Sequence, residues 1–167
     1  MGVGVPDTSI SIRAEIKPGD LGAIMHLHGV LYAEEYGLDW TFELYIAKGY
    51  AEAAEAFTSG KARLWAADDA GKVVGSIAIV GHSLQAAQLR WFLLHPSARG
   101  QGLGRRLLQE AIEFSRASGY QTIFLWTLSN LDAAIHLYRA FGFQKSEEAT
   151  HRLWGKTLTE ERYELGL

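Results

Sequence analysis

Cysteine is absent from this 167-residue chain, so it has no disulfide framework, no thiolate metal site and no cysteine nucleophile. Proline is scarce, at 3 residues, which excludes a proline-rich linker. Charge of one sign does not dominate: 16 Lys+Arg against 19 Asp+Glu leave a net −3. The basic excess of a nucleic-acid binder is missing, and no nucleic-acid partner is expected. Long apolar runs are missing too. The longest near-apolar stretch, Val73–Val80, contains Gly75 and Ser76 and is far too short to cross a bilayer. The first residues, MGVGVPDTS, have neither the basic nor the apolar region of a signal peptide, and Pro6 breaks a myristoylation pattern. A soluble, cytoplasmic protein with no membrane partner is the expectation.

What is present reads as one ordinary domain. Hydrophobic residues make up 48% and charged residues 21%, a globular balance, and the length is close to one domain's worth. A loose tail over residues 1–9 is expected, followed by a single domain over 10–167. Ile10, Ile12 and Ala14 alternate as in a half-buried strand. Asp20 is a candidate helix cap ahead of Leu21, Ile24, Met25, His28, Leu31 and Tyr32. A second helix carries Phe42, Tyr45, Ile46, Ala53 and Phe57, with Gly49 as a candidate break. Arg63–Ala67, Val73–His82 and Ala87–Leu94 read as three antiparallel strands with short connections. A helix from Leu103 to about Ser118 follows, with Leu103, Leu107, Ala111 and Phe114 as its buried stripe and Gly119 past its end. Gln121–Thr127 is an apolar strand, Ser129-Asn130 can cap a helix over Asp132–Phe141, and two strands close the chain. The order predicts a mixed α/β fold on a largely antiparallel sheet.

The most informative run is Arg99-Gly100-Gln101-Gly102-Leu103-Gly104, set between a strand and a helix. Alternate glycines let the chain turn sharply and converge several N–H groups. The first helical turn adds unpaired donors and the positive end of its dipole. Such a site suits a phosphate or pyrophosphate, with Arg99, Arg105 and Arg106 flanking it. A Walker loop would need GK[ST] where Arg105-Arg106 stand, and a dinucleotide fingerprint would need G-x-G-x-x-G after the first strand of a parallel unit. Neither fits.

The segment from Leu93 to Leu108, with His95-Pro96 and Arg99 to Gly104 at its centre, resembles the acetyl-CoA motif of the GNAT N-acetyltransferase superfamily. Asn130, Ala133, Leu137-Tyr138 and Gly142-Phe143 are similar in spacing to its second signature. The C-terminal stretch from Trp154, with Glu34-Glu35-Tyr36-Gly37 earlier, is similar to acetyltransferase domains fused to MarR-type regulators. The resemblance implies a central sheet of about seven strands flanked by about four helices, acetyl-CoA as acyl donor, and a homodimer as a common assembly. It implies that main-chain groups of Phe92, Leu93 and Leu94 pair with the pantetheine arm. Arg99, Gly100, Gln101, Gly102, Leu103 and Gly104 would hold the pyrophosphate, and Asn130 would touch the cofactor. Tyr138 would protonate the departing thiolate; a phenol with a pKa near 10 keeps its proton at neutral pH.

The acceptor is implied to be a primary amine of a small molecule or peptide. Amine acylation needs a free base, and some members of the family carry a glutamate on the fourth strand for it. Here Gln88–Leu94 holds no carboxylate. Glu35 is the candidate base, and Glu34 is a candidate acceptor contact. Tyr36, Arg90 and Trp126 are candidate acceptor contacts, Arg90 as a bidentate clamp for a carboxylate. The missing strand carboxylate also suits a non-catalytic acyl-CoA sensor. The six histidines form no ligand cluster, and no metal is expected.

Overall fold

Glycines in the left-handed conformation bracket the first helix. The computed structural model describes residues 10–167; the expected tail over 1–9 lies outside the described residues. A short strand β1 (Ser11–Arg13) leads to helix α1 (Asp20–Tyr36), bounded by Gly19 at φ 93° and Gly37 at φ 71°. Asp20 does not cap this helix as expected. It is the first helical residue, and its carboxylate accepts both Arg13 Nη groups at 2.6 and 2.7 Å and the Lys17 N–H at 2.7 Å. It ties helix to strand instead.

Helix α2 (Thr41–Thr58) runs without a break through Gly49, whose buried backbone faces Arg90. Strands β2 (Ala62–Asp69) and β3 (Lys72–Gly81) form a hairpin across Ala70-Gly71, both at positive φ, which matches the strand twist. The third long strand, β4 (Ala86–Leu94), leads through a short 3₁₀ turn to helix α3 (Leu103–Ala117). The buried face of α3 is wider than the expected stripe. It includes Leu108, Ile112 and Ser115, while Phe114 is only half-buried. Each fully buried Leu or Ile there contributes roughly 1.5–3 kcal/mol.

Strand β5 (Thr122–Leu128) follows, then helix α4 (Asp132–Ala140). Leu131 takes its cap position without a side-chain bond, so neither Ser129 nor Asn130 caps it. The hairpin β6 (Gln144–Leu153) and β7 (Lys156–Gly166) turns at Trp154-Gly155, again both at positive φ.

The sheet has seven strands in the order β1-β2-β3-β4-β5-β7-β6. Every neighbouring pair is antiparallel except β4 and β5. Helices α1 and α2 cover one face with a core around Ile24, Phe42, Ile46 and Trp91. Helices α3 and α4 cover the other, around Leu107, Leu108, Ile123 and Tyr138. The mixed, mostly antiparallel sheet with four helices is the architecture expected.

Two features of β4 open the sheet. Pairing with β5 covers only Ala86–Gln88 against Thr122–Phe124, although both strands run on. The strands therefore splay apart beyond Gln88. On its other edge, β4 carries an extra residue: Ala78 opposes Arg90, but Ser76 opposes Leu93. Trp91 sits in this bulge at φ 49°, an uncommon conformation for a bulky residue. The Ser76 hydroxyl donates to the Trp91 carbonyl at 2.6 Å, satisfying an acceptor that the bulge leaves over.

Candidate active site

The splay leaves a cleft of about 410 Å³ between β4, α1, α3 and α4. Phe92, Leu93 and Leu94 line it from the strand, and Arg99, Gly100, Gly102, Leu103 and Gly104 from the loop and first turn of α3. Gly100 and Gly102 take φ 76° and 75°, with nothing within 4 Å of where a Cβ would sit. Their backbone faces open space, as a cradle for an incoming anion must. At Gly104, a Cβ would touch Leu94, Leu137 and Phe92 at 3.4–3.6 Å, so its missing side chain keeps the cleft floor clear. Gln101 is turned away, its amide donating to the Ser97 carbonyl at 3.2 Å. Asn130 is exposed at the foot of α4 and is not among the lining residues; Leu131 is.

Arg99 is already engaged. Its Nη groups meet both oxygens of Glu35 at 2.7 and 3.1 Å, and its Nε donates to the Leu94 carbonyl at 3.1 Å. Glu35 therefore lines this cleft, bound to a guanidinium. Glu34 is exposed on the same helix and lines neither cavity. Tyr36 also lines the donor cleft.

A second cavity, of about 90 Å³, opens on the α1–α2 side of the splay. It shares Tyr32, Phe92 and Leu131 with the first, so these three residues form the partition between the two. Arg90 and Trp126 line it, as do Tyr45, Trp154, His28 and Glu160. Its outer wall is held by the α1–α2 connection. There the Asp39 N–H donates to the Trp154 carbonyl at 2.9 Å, and Lys156 Nζ donates to the Tyr36 carbonyl at 2.8 Å.

Tyr138 also lines this second cavity while packing against Phe92 at 6.1 Å between ring centroids. Burial raises the pKa of its phenol well above the usual tyrosine value, since a phenolate would lose its hydration. It keeps its proton across the physiological range. His28 is buried, with Nδ1 2.8 Å from the Ile24 carbonyl. That carbonyl only accepts, so Nδ1 carries the hydrogen. Burial lowers the His28 pKa to about 4, leaving the ring neutral at pH 7.

Arg90 has an unusual setting. Its guanidinium lies over Trp91 at 4.9 Å and Tyr45 at 5.7 Å. A Cβ on Gly49 would come within 2.7 Å of its Nη2. Glycine in mid-helix is the space in which this side chain runs. Among the described residues no carboxylate forms an ion pair with it.

Four residues of the site escape a reading of the sequence. His28 and Tyr32 precede Tyr36 at four-residue spacing, and that aromatic stripe is the one signal that marks them. Glu160 and Gly49 have no local signal, because each reaches the site through long-range packing.

The model of the acetyltransferase (GNAT) family matches residues 28–143. An N-acetyltransferase of Schizosaccharomyces pombe is 30% identical over 147 residues, covering 86% of this chain and 88% of that one. Mouse N-acetyltransferase 8 is 36% identical over 90 residues; the match takes in 51% of this chain but only 40% of the mouse protein. The Salmonella typhimurium acetyltransferase yncA, solved with its cofactor acetyl-CoA, superposes with a TM-score of 0.75 over 94% of this chain and 93% of its own, at 19% identity. That likeness is one of fold. The stretch matched by the family, from His28 in α1 to Phe143 beyond α4, takes in the splayed strands and every residue lining the larger cleft: the chain belongs to the GNAT family and is an acetyltransferase.

Proposed function

We propose that this enzyme transfers the acetyl group of acetyl-CoA directly to a primary amine, with the donor in the larger cleft and the acceptor in the smaller one. The observation that carries this reading is the meeting of the two cavities at Tyr32, Phe92 and Leu131. A thioester lying along β4 would bring its carbonyl to that partition. Fit to acetyl-CoA is supported by the Gly100–Gly102 cradle at the start of α3, by the positive end of that helix, and by Arg105 on the cleft wall. When bound, acetyl-CoA supplies an acetyl group already activated as a thioester.

The chain's own groups do the rest. Phe92–Leu94 offer main-chain groups along the edge of β4 that β5 leaves unpaired, to align the donor. The cleft brings amine and carbonyl together, which alone removes much of the barrier. As the C–N bond forms and the C–S bond breaks, Tyr138 gives its proton to sulfur. The nitrogen loses a proton in turn, which restores the phenol. One further proton must leave the ammonium before attack, because an alkylamine resembling lysine has a pKa near 10.4.

Thiol release from acetyl-CoA, followed with a panel of primary amines, tests the assignment. Tyr138→Phe is expected to lower kcat by roughly 10²–10⁴-fold, the usual contribution of a general acid, while acetyl-CoA affinity is retained. Wild-type turnover in that variant removes Tyr138 from the mechanism. Binding of acetyl-CoA without turnover of any amine would instead favour the sensor reading.

A further inference from the structure

We infer that the acceptor is a free α-amino acid or a close analogue: an amine beside a carboxylate, on an apolar side chain. This rests on the transferase reading above. The smaller cavity has two charged side chains among its lining residues, Arg90 and Glu160, and the remainder are largely aromatic or aliphatic. One cation and one anion in an apolar setting complement a zwitterion. They do not complement a polyamine or an aminosugar, whose several positive charges would call for several carboxylates.

The two charges stand on opposite sides of the splay. Arg90 projects from β4, held over Trp91 and Tyr45 in the gap left by Gly49. Half-buried and, among the described residues, without a carboxylate partner, it is a guanidinium placed to bind an anion. Glu160 projects from β7, opposite Leu128 of β5. His151 Nε2 lies 2.7 Å from its Oε2, which orients the carboxylate. A substrate with its carboxylate on Arg90 brings its ammonium toward β5 and β7. There Glu160 takes the proton that must leave before attack. The nitrogen then faces the partition at Phe92, with Tyr138 beside it.

The apolar side chain has its own place. Tyr45 and Trp126 are 40% and 36% exposed around the mouth of the cavity, and Trp154 packs against Tyr45 at 5.1 Å. This collar accepts an aliphatic or aromatic group. A cavity of about 90 Å³ suits a single residue rather than a folded polypeptide. A protein N-terminus also lacks the free α-carboxylate that Arg90 would grip.

The experiment pairs L-leucine, L-methionine and L-phenylalanine with their decarboxylated amines and measures kcat/KM by thiol release at saturating acetyl-CoA. At least one amino acid is expected to exceed its amine by roughly 10- to 100-fold, the worth of a charge-assisted bidentate contact. Arg90→Gln should erase that preference by raising KM for the amino acid, and Arg90→Lys should recover part of it. Glu160→Gln should keep the preference and lose most turnover at pH 7. Calorimetric titration of the same amino acids into enzyme saturated with CoA reads binding apart from chemistry. Amines that match or outrun every amino acid, or an Arg90→Gln variant with unchanged preference, would overturn the proposal and leave the transferase reading standing. Undiminished turnover in Glu160→Gln overturns the role of Glu160. Arg90-dependent binding with no turnover of any amine supports the ligand class and sinks the transferase reading instead. Neither binding nor turnover refutes the proposal.

Discussion

Gly49→Ala sets two effects against each other with opposite signs. In the interior of α2, alanine is favoured over glycine by roughly 0.5–1 kcal/mol, because glycine loses more backbone freedom on folding. The new methyl would lie 2.7 Å from Arg90 Nη2 and 3.1 Å from its Cζ. The obstructing group is the far end of a long side chain, so it can make the shift of roughly 0.7 Å that ordinary contact at 3.4 Å requires. Complete loss of its contacts with Trp91 and Tyr45 would cost about 0.5–1 kcal/mol each, but a small shift forfeits only part of that. The helix term wins. Thermal unfolding should rise by up to about 4 °C, given roughly 2–4 °C per kcal/mol for a chain of this size. The displaced guanidinium no longer meets a carboxylate squarely, so KM for a carboxylate-bearing acceptor should rise several-fold with kcat little changed. Calorimetry and thiol-release kinetics on the same preparation give both readings. A fall in Tm of more than a few degrees would mean that Arg90 is a fixed pillar of the α2–β4 packing. An unchanged KM would mean that its position does not matter to the acceptor. Either result refutes the reasoning.

Gly102→Asp puts a negative side chain at φ 75° in the anion cradle and should abolish acetyl-CoA binding by calorimetry; wild-type affinity would remove the loop from donor binding. Leu107→Ala, at a site with no solvent exposure, should cost about 2–5 kcal/mol in urea unfolding, and a loss below 1 kcal/mol would deny that α3 packs as described. Asp20→Asn tests the tie between β1 and α1. The hydrogen bonds from Arg13 hold the Asp20 carboxyl below its usual range, so its stabilisation is complete above the unfolded value near 3.9. It is lost as pH falls through the lower folded value. The variant should therefore be less stable at pH 7 by about 3 kcal/mol, with the gap narrowing as pH falls below the unfolded value near 3.9; a gap that does not narrow under acid would count against the ion pair.

The larger cleft is legible in the sequence because most of its lining is local. Strand residues Phe92–Leu94, the glycine turn and the first turn of α3 follow one another along the chain, and backbone conformation alone carries their role. The acceptor side is assembled from afar. Glu160 arrives on β7, which enters the sheet between β5 and β6 against chain order, and nothing in Lys156–Gly166 marks one glutamate over its neighbours. Glu35 stands at the end of α1, but its partner Arg99 lies 64 residues away, and pattern does not reveal that pairing. Gly49 looks like a helix breaker until the side chain that needs its space is known. Asp20 has the residue type of a cap, yet a nearby arginine competes for its oxygens and wins.

The surplus residue in β4 has an arithmetic consequence. A pleated strand sends odd and even positions to opposite sides, and one extra member reverses that parity for everything downstream. Ala87 and Leu89 belong to the layer beneath α3, whereas after Trp91 it is Phe92 and Leu94 that do; Trp91 joins the opposite layer. Buried and half-buried positions still alternate without a break along the strand, so the inversion is silent in the one-dimensional pattern. Removing position 91 alone would restore plain alternation, leaving Phe92 and Leu94 on the side of Tyr138 and taking Trp91 out of the opposite layer.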